Sequence, residues 1–443
     1  MSIARTLGVA LLAGLTVLPR YGAAQTPPVY KTLHSFTGQS GDGAVPMTGP
    51  VIGTNQELYG TTSKGGAGGA GTVYELKPPA SPGGAWTETV IYNFPSTSAC
   101  CIYPNSLTLG ADGAIYGTTT PQGNLDGVNQ YDPGLGWGTV FELKPPAAAG
   151  DAWTETVIHS FTRPGDGVAP YGALVMGTDG ALYGTTIHGG TGPCLRLQGG
   201  DAGCGVVYEL TRQADGSWTE SVLYSFTGQN GDGAYPTGVA IGQSGALYGG
   251  TLGGGDTGFG TVFELQPPAA AGGAWTETVL HSFTDSFTDG GNADSTPVIG
   301  GNGALYGTTY TIAGNGAGSV FRLTPPAAPG GTWTEDAIFR SGGFSGGLTP
   351  NGLTREASGA LFGTTLLGGI DCPTNGCGVV FELEPVKGGT WPETILHDFT
   401  GQNGDGATPY PFSILAIGAN GAIFGTTTAG GSAGMGVVFE IDR

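Results

Sequence analysis

The chain has 443 residues, 88 of them glycine and 30 proline, with 39% hydrophobic residues. Glycine-free windows are too short for amphipathic helices, so long helices are excluded and many short strands joined by turns are expected. Lysine and arginine number 14 against 34 aspartates and glutamates, a formal net charge of −20, and such a field repels phosphate backbones and anionic membranes, which argues against a nucleic-acid partner.

The chain opens with Met1-Ser-Ile-Ala-Arg5, an apolar run from Leu7 to Leu18, and the small residues Gly22-Ala23-Ala24. A positive start, a short apolar core and a small-residue site make a secretory signal peptide, with cleavage expected after Ala24. The run is short for a membrane span and no second one follows. Residues 25–443 are therefore expected as one exported, monomeric domain, extracellular or periplasmic.

From residue 30 onward one repeat dominates. A strand of the form small residue, Leu or Ile, aromatic, Gly recurs seven times, with aromatics Tyr59, Tyr116, Tyr183, Tyr248, Tyr306, Phe362 and Phe424. Each is followed by a Gly-x-Val-aromatic-Glu-Leu strand, with aromatics Tyr74, Phe141, Tyr208, Phe263, Phe321, Phe381 and Phe439. A third phrase, Trp-Thr-Glu in most copies, starts at Trp86, Trp153, Trp218, Trp275, Trp333 and Trp391. Its seventh copy stands at the front, as Tyr30-Lys-Thr-Leu-His-Ser-Phe36. A fourth run, such as Ala173-Leu-Val-Met-Gly177, precedes each Tyr-Gly strand and ends in a tight turn such as Thr178-Asp-Gly180, a hairpin signal. Four antiparallel strands repeated seven times predict an all-β, seven-bladed β-propeller. The orphan outer strand at the front pairs with Gly436–Ile441 at the end and closes the ring, removing two open edges.

These phrases resemble the Gloeo–Verruco (GloVer) tandem-repeat proteins, on Leu182-Tyr-Gly-Thr-Thr186, Gly138-Thr-Val-Phe-Glu-Leu143 and Trp275-Thr-Glu-Thr-Val-Leu-His-Ser-Phe283. The resemblance implies an exported bacterial protein with a C-terminal choice of anchor. This chain departs from it by stopping at Asp442-Arg443 directly after the last strand, so a free protein is expected. The pattern is also similar to kelch repeats. The family implies no activity.

Six cysteines fit an oxidising compartment. Cys194 with Cys204, and Cys372 with Cys377, each close a loop of their own, worth about 2–3 kcal/mol apiece in the chain-entropy model. Cys100 and Cys101 are adjacent, and either a vicinal disulfide or two thiols fits them.

In this strand order one face carries the loops joining the second and third strands and those joining one blade to the next. Three long loops meet there: 95–104, 120–136 and 188–203. They hold Asp126, Tyr131, Asp132, His188 and Arg196, and the second leads into Trp137. Aromatic faces beside carboxylates and an arginine suit a sugar, so these six residues are the candidate ligand-binding set. The plain alternative is a surface insertion that Trp137 packs down. His34, His159, His281 and His397 share one outer-strand position with Tyr92, Tyr224 and Phe339, which marks it as structural. Gly-Asp-Gly recurs with Asp42, Asp166, Asp232 and Asp405, and the matching loop of blade five holds Asp285, Asp289 and Asp294. A turn role is favoured over calcium there, for no loop has EF-hand spacing. No cofactor is expected. The expected function is binding or scaffolding, with carbohydrate as ligand. The rivals are a polysaccharide lyase or glycosidase on the same disk, and a protein-interaction module.

Overall fold

The computed structural model describes residues 27–39, 41–81, 83–95, 102–121, 137–148, 150–162, 165–194, 203–270, 272–311, 317–328, 330–341, 347–370, 372, 376–410 and 413–443. The expected signal peptide, residues 1–24, lies outside them. The strands form seven small antiparallel sheets, the blades of a β-propeller. Blade three shows the pattern, with Val168–Met176, Leu182–His188, Val206–Arg212 and Trp218–Ser225 hydrogen-bonded in that order. Blade seven takes Ala416–Ile417, Ile423–Thr427 and Val437–Asp442 from the end of the chain and Val29–Ser35 from its start. Val29 pairs with Asp442 and Thr32 with Phe439, so the ring is closed as the repeat phase requires. First strands pack on first strands of the neighbouring blades, which places them around the axis. Among the described residues no helix is long and apolar enough to cross a membrane.

The repeat phrases have direct physical causes. In every blade the third-strand aromatic lies across the second-strand glycine. A Cβ on Gly60, Gly184 or Gly249 would stand 2.2–2.4 Å from Tyr74, Tyr208 or Phe263, so no larger residue fits. The same ring meets an aromatic from the preceding blade: Phe36 with Tyr74, Phe94 with Phe141, Phe226 with Phe263, Phe399 with Phe439, at centroid distances of 5.0–5.6 Å. Second-strand tyrosines donate to the third-strand glutamates, Tyr116 to Glu142 at 3.0 Å and Tyr183 to Glu209 at 2.9 Å. Those glutamates therefore serve within their own blade, and the inter-blade contact is made by the tyrosine ring. Tyr59, Tyr116 and Tyr183 meet Trp153, Trp218 and Trp275 of the next blade edge-on.

Closer to the axis, a ring of buried polar groups laces the blades. In five blades the threonine after the Tyr-Gly or Phe-Gly bonds a polar side chain that precedes it in the same blade: Thr61 with Thr48, Thr118 with Asn105, Thr308 with Asp294, Thr364 with Asn351, Thr426 with Ser413. Several of these groups also reach the next blade. Asn105 donates to the Pro170 carbonyl, Asn351 to that of Pro409, and Thr426 to that of Thr48. The chain enters each first strand in an unusual way. Val45, Ala169, Tyr235, Asn292, Thr349 and Thr408 have φ between 54° and 63°, costly for residues with a side chain. Each donates its N–H to the carbonyl before the third strand of the preceding blade, as Ala169 does to Trp137 and Tyr235 to Cys204. That hydrogen bond, made six times, holds the strained turn in place.

At the rim the Gly-Asp-Gly aspartates Asp42, Asp232 and Asp405, and Asp289 in blade five, are held in turns, and so is Asp166, which accepts from Thr162 four residues earlier. Asp42, Asp232, Asp289 and Asp405 each accept from the N–H and hydroxyl of a threonine five residues earlier. Their other oxygen faces the outer-strand histidine where one is present, at 2.6 Å for His281 and Asp289. The glutamate of the next blade's Trp-Thr-Glu enters the same seam. Asp294 departs from the acidic-loop expectation: it sits on the axial ring instead.

Two outcomes follow from these networks. Asn351→Ala orphans the Thr364 hydroxyl and the Pro409 carbonyl, and is expected to cost about 1–3 kcal/mol, read as a lower denaturant midpoint. Burial pushes the carboxyls of Glu220, Glu277 and Glu393 up to about 7 from 4.5, with Asp166 and Asp232 adding to the first two. A carboxyl raised on folding binds its proton more tightly in the folded state. Stability is therefore full below about pH 4.5 and falls as pH rises through 7. The melting temperature is expected to decline from pH 5 to pH 8, and Glu277→Gln to flatten that decline.

Candidate functional site

Of the six candidate ligand-binding residues, Asp126, Tyr131, Asp132 and Arg196 lie outside the described residues, as do Cys100 and Cys101. Trp137 and His188 are described, and the structure brings them to one patch. Trp137 stands directly before the third strand of blade two, and its carbonyl accepts from Ala169 of blade three. His188 ends the second strand of blade three. Its ring meets that of Tyr235 from blade four edge-on, at 5.4 Å. Val168, Ala169 and Ile187 form a small buried cluster, and Trp137, Tyr171, Tyr235 and Leu252 pack on it half-buried. Trp137 itself packs on that cluster, and most of the 120–136 loop that the plain alternative has it hold down lies outside the described residues. Trp137 also keeps part of its ring exposed beside two tyrosines.

Two disulfides frame this face. Cys194–Cys204 and Cys372–Cys377 both form, with Cα separations of 5.0 and 5.6 Å. Cys204 is wholly buried in the blade-four cluster, and its carbonyl accepts from Tyr235. The first disulfide thus holds the segment against which Tyr235 is turned.

Sequence reasoning placed Asp294 in an acidic loop and missed its axial position. The position after the entry proline carries Met47, Asn105, Tyr171, Thr237, Asn351 and Tyr410, and in blade five, where Ala293 replaces proline, Asp294. Asp294 lines a narrow axial cavity with Ser106, Gly172, Thr237, Thr296 and Ile414. It is 8% exposed, and its Oδ1 accepts from the Thr308 hydroxyl at 2.7 Å. Burial pushes its carboxyl up to about 7, against the Thr308 hydrogen bond. The Tyr171 hydroxyl is raised well above the tyrosine range by burial, with smaller contributions from Tyr410 and Asp294. Tyr171 therefore joins the aromatic patch to the axial carboxyl. The available signal was alignment of the repeats at the entry proline, where a carboxylate occurs once. On one side of Asp294 the channel widens into an apolar mouth lined by Val51, Ile52, Leu107, Leu415 and Ile417.

A closed ring of seven four-stranded blades defines a β-propeller repeat protein. The chain belongs to the Gloeobacter/Verrucomicrobia repeat family, which it matches over residues 21–193 and 195–439. No curated protein matches it by sequence. Among solved structures it is similar to an ulvan lyase, a polysaccharide lyase solved with bound -[GlcA(1-4)Rha3S]-. That match has 10% identity and a TM-score of 0.52, over 92% of this chain and 94% of that one. A protein of unknown function from Dyadobacter fermentans matches at 15% identity and a TM-score of 0.46, over 77% of this chain and 93% of that one. A gluconolactonase from Xanthomonas campestris matches at 14% identity and 0.39, over 95% of each chain. At these identities the likeness is one of fold.

Asp294→Asn keeps an acceptor for Thr308 and removes the buried charge. The variant is expected to match the parent near pH 4 and to melt several degrees higher at pH 8, because only the parent must ionise a buried group. Thermal melts at the two pH values check this.

Proposed function

We propose that this protein is an exported carbohydrate-binding propeller that takes its ligand on the face carrying Trp137, Tyr171, His188 and Tyr235, with Asp294 as the polar group at the axis. The observation that carries this reading is the grouping of four partly buried aromatic residues from three blades, one of which, Tyr171, lies within electrostatic reach of the buried Asp294 carboxyl. Ligand pockets combine aromatic and apolar walls with a few placed polar groups. Flat rings with a polar edge suit the apolar face and hydroxyl rim of a sugar. The two disulfides fit an oxidising compartment, and the net charge of −20 disfavours strongly anionic ligands. The 120–136 and 188–203 loops, with Asp126, Tyr131, Asp132 and Arg196, supply further hydrogen-bonding groups in this reading.

A second reading has one observation in its favour. A carboxyl that burial pushes up to about 7, within electrostatic reach of Tyr171, is poised as a general acid or base, so the same axis would suit an enzyme acting on a polysaccharide. Binding that persists in Asp294→Asn without turnover in the parent favours the lectin-like reading. Turnover abolished by that change favours the enzyme.

Binding to a broad glycan array is the test. A reproducible hit is expected, weakened about tenfold or more by Trp137→Ala or Tyr235→Ala, equivalent to roughly 1.4 kcal/mol or more. An array without hits, from protein that melts cooperatively, would sink the carbohydrate reading and leave a protein-interaction module.

A further inference from the structure

We propose that the seam between the ring-closing strand and blade one binds a divalent transition metal of the zinc class through His34, Asp42 and Glu88, and that the seam between blades four and five holds a weaker copy at His281, Asp289 and Glu335. In each triad one donor atom per residue lies within 4.8 Å of the other two. A histidine nitrogen with two carboxylate oxygens is a donor set zinc accepts, with a solvent molecule as fourth ligand. Tetrahedral geometry with bonds of about 2.0–2.1 Å sets ligand atoms about 3.3 Å apart. His34 Nε2 and Asp42 Oδ1 already stand at 3.3 Å.

The surroundings prepare the donors. Asp42 Oδ2 accepts from the Thr37 N–H and hydroxyl, each at 2.7 Å, which turns Oδ1 toward His34 in the manner of a second shell around a metal ligand. The His34 ring is set edge-on against Phe36 at 4.7 Å. Glu88 Oε1 and Glu335 Oε1 are buried without a hydrogen-bond partner, as are Glu220, Glu277 and Glu393 at the same repeat position, but among the described residues only the first two have a histidine nitrogen and an aspartate oxygen within 4.8 Å that a shared cation could bridge.

The other seams show what the triad requires. Between blades six and seven Tyr30 takes the glutamate position and stacks on His397 at 3.8 Å, so the space is filled. At His159 the nearest Asp166 oxygen is 3.9 Å away, and Thr162 takes both oxygens of that aspartate. Between blades three and four Tyr224 replaces the histidine. The two sites also differ from each other. Arg340 lines the same pocket as His281, Asp289 and Glu335, and its charge acts on Glu335. The charges acting on Glu88 come from His34 and Asp42. A cation is therefore held more tightly at His34. There it ties the closing strand Val29–Ser35 to the loop that follows it and to blade one, and a ligand that binds only the folded ring stabilises it.

The experiment is zinc titration of the chelator-treated protein by calorimetry, with melting curves in zinc and in EDTA. One tight equivalent per chain and a weaker second are expected, with a melting temperature raised by zinc and returned by EDTA. Cobalt(II) should give the visible absorption of a tetrahedral site. His34→Gln is expected to remove the tight equivalent, His281→Gln the weak one, and His397→Gln neither. Should His34→Gln also lower the metal-free melting temperature through its contact with Phe36, Glu88→Gln removes a ligand and spares that contact. Absence of zinc binding by the folded parent, or a tight equivalent that survives both His34→Gln and Glu88→Gln, overturns the proposal.

Discussion

The structure depends on one contact made seven times: an aromatic ring of the third strand lying across a glycine of the second. Without a Cβ the glycine lets Phe381 approach Gly363, and Phe439 approach Gly425, at van der Waals distance. The third-strand ring is thereby pressed into its own sheet and presents its far edge to the preceding blade. There it meets Phe36, Phe94, Phe161, Phe226, Phe283 or Phe399. One side chain thus builds the blade and joins it to its neighbour. Burying rings of this size supplies the main stabilisation of a chain whose blades have little core of their own. A blade gains fully only with neighbours on both sides, which is why the ring must close through Val29–Ser35.

The copies that break the pattern show how strictly the contact is kept. Blade five has Ser341 where the phenylalanine belongs, and Phe339 stacks on Phe381 in its place at 5.9 Å. Blade seven has no tryptophan to cover Phe362. The Arg443 guanidinium lies 4.5 Å from that ring instead, and pairs with Glu356 and Glu382. In blade five Arg322 replaces the third-strand glutamate and pairs with Asp336. Each lost partner is replaced by a different residue that fills the same space or balances the same charge.

This logic explains what could be read from the sequence. Gly60 and Tyr74, Glu142 and Tyr116 are bound to fixed offsets by direct contact, so blade number, strand order and closure were all visible in the spacing. Trp137 and His188 were visible as residues of the variable face. Tyr171, Tyr235 and Asp294 were not, because the first strands are irregular. They carry register shifts between Pro104 and Leu107, between Tyr171 and Val175, and between Pro236 and Val239. A bulged strand does not keep its alternation, so inward and outward positions cannot be counted along it. The position of Asp294 shows only when the blades are aligned at the entry proline, and blade five has lost that proline.

The axial ring also separates scaffold from site. The threonines Thr61, Thr118, Thr308, Thr364 and Thr426 barely vary, since each must fill one buried hydrogen-bonding slot. The residues after the entry proline, by contrast, are Met47, Asn105, Tyr171, Thr237, Asp294, Asn351 and Tyr410. A position that served packing alone in seven equivalent blades would settle on one residue type, as the second-strand glycines have. This one has not, and it includes a carboxyl that is costly to bury and lies within electrostatic reach of Tyr171. Rim departures such as Arg443 and Phe339 each repair a local loss. Asp294 repairs none, since Asn351 answers Thr364 in the next blade without a charge. A ligand at the axis would give that charge a purpose, and the aromatic patch beside Tyr171 gives the ligand a wall.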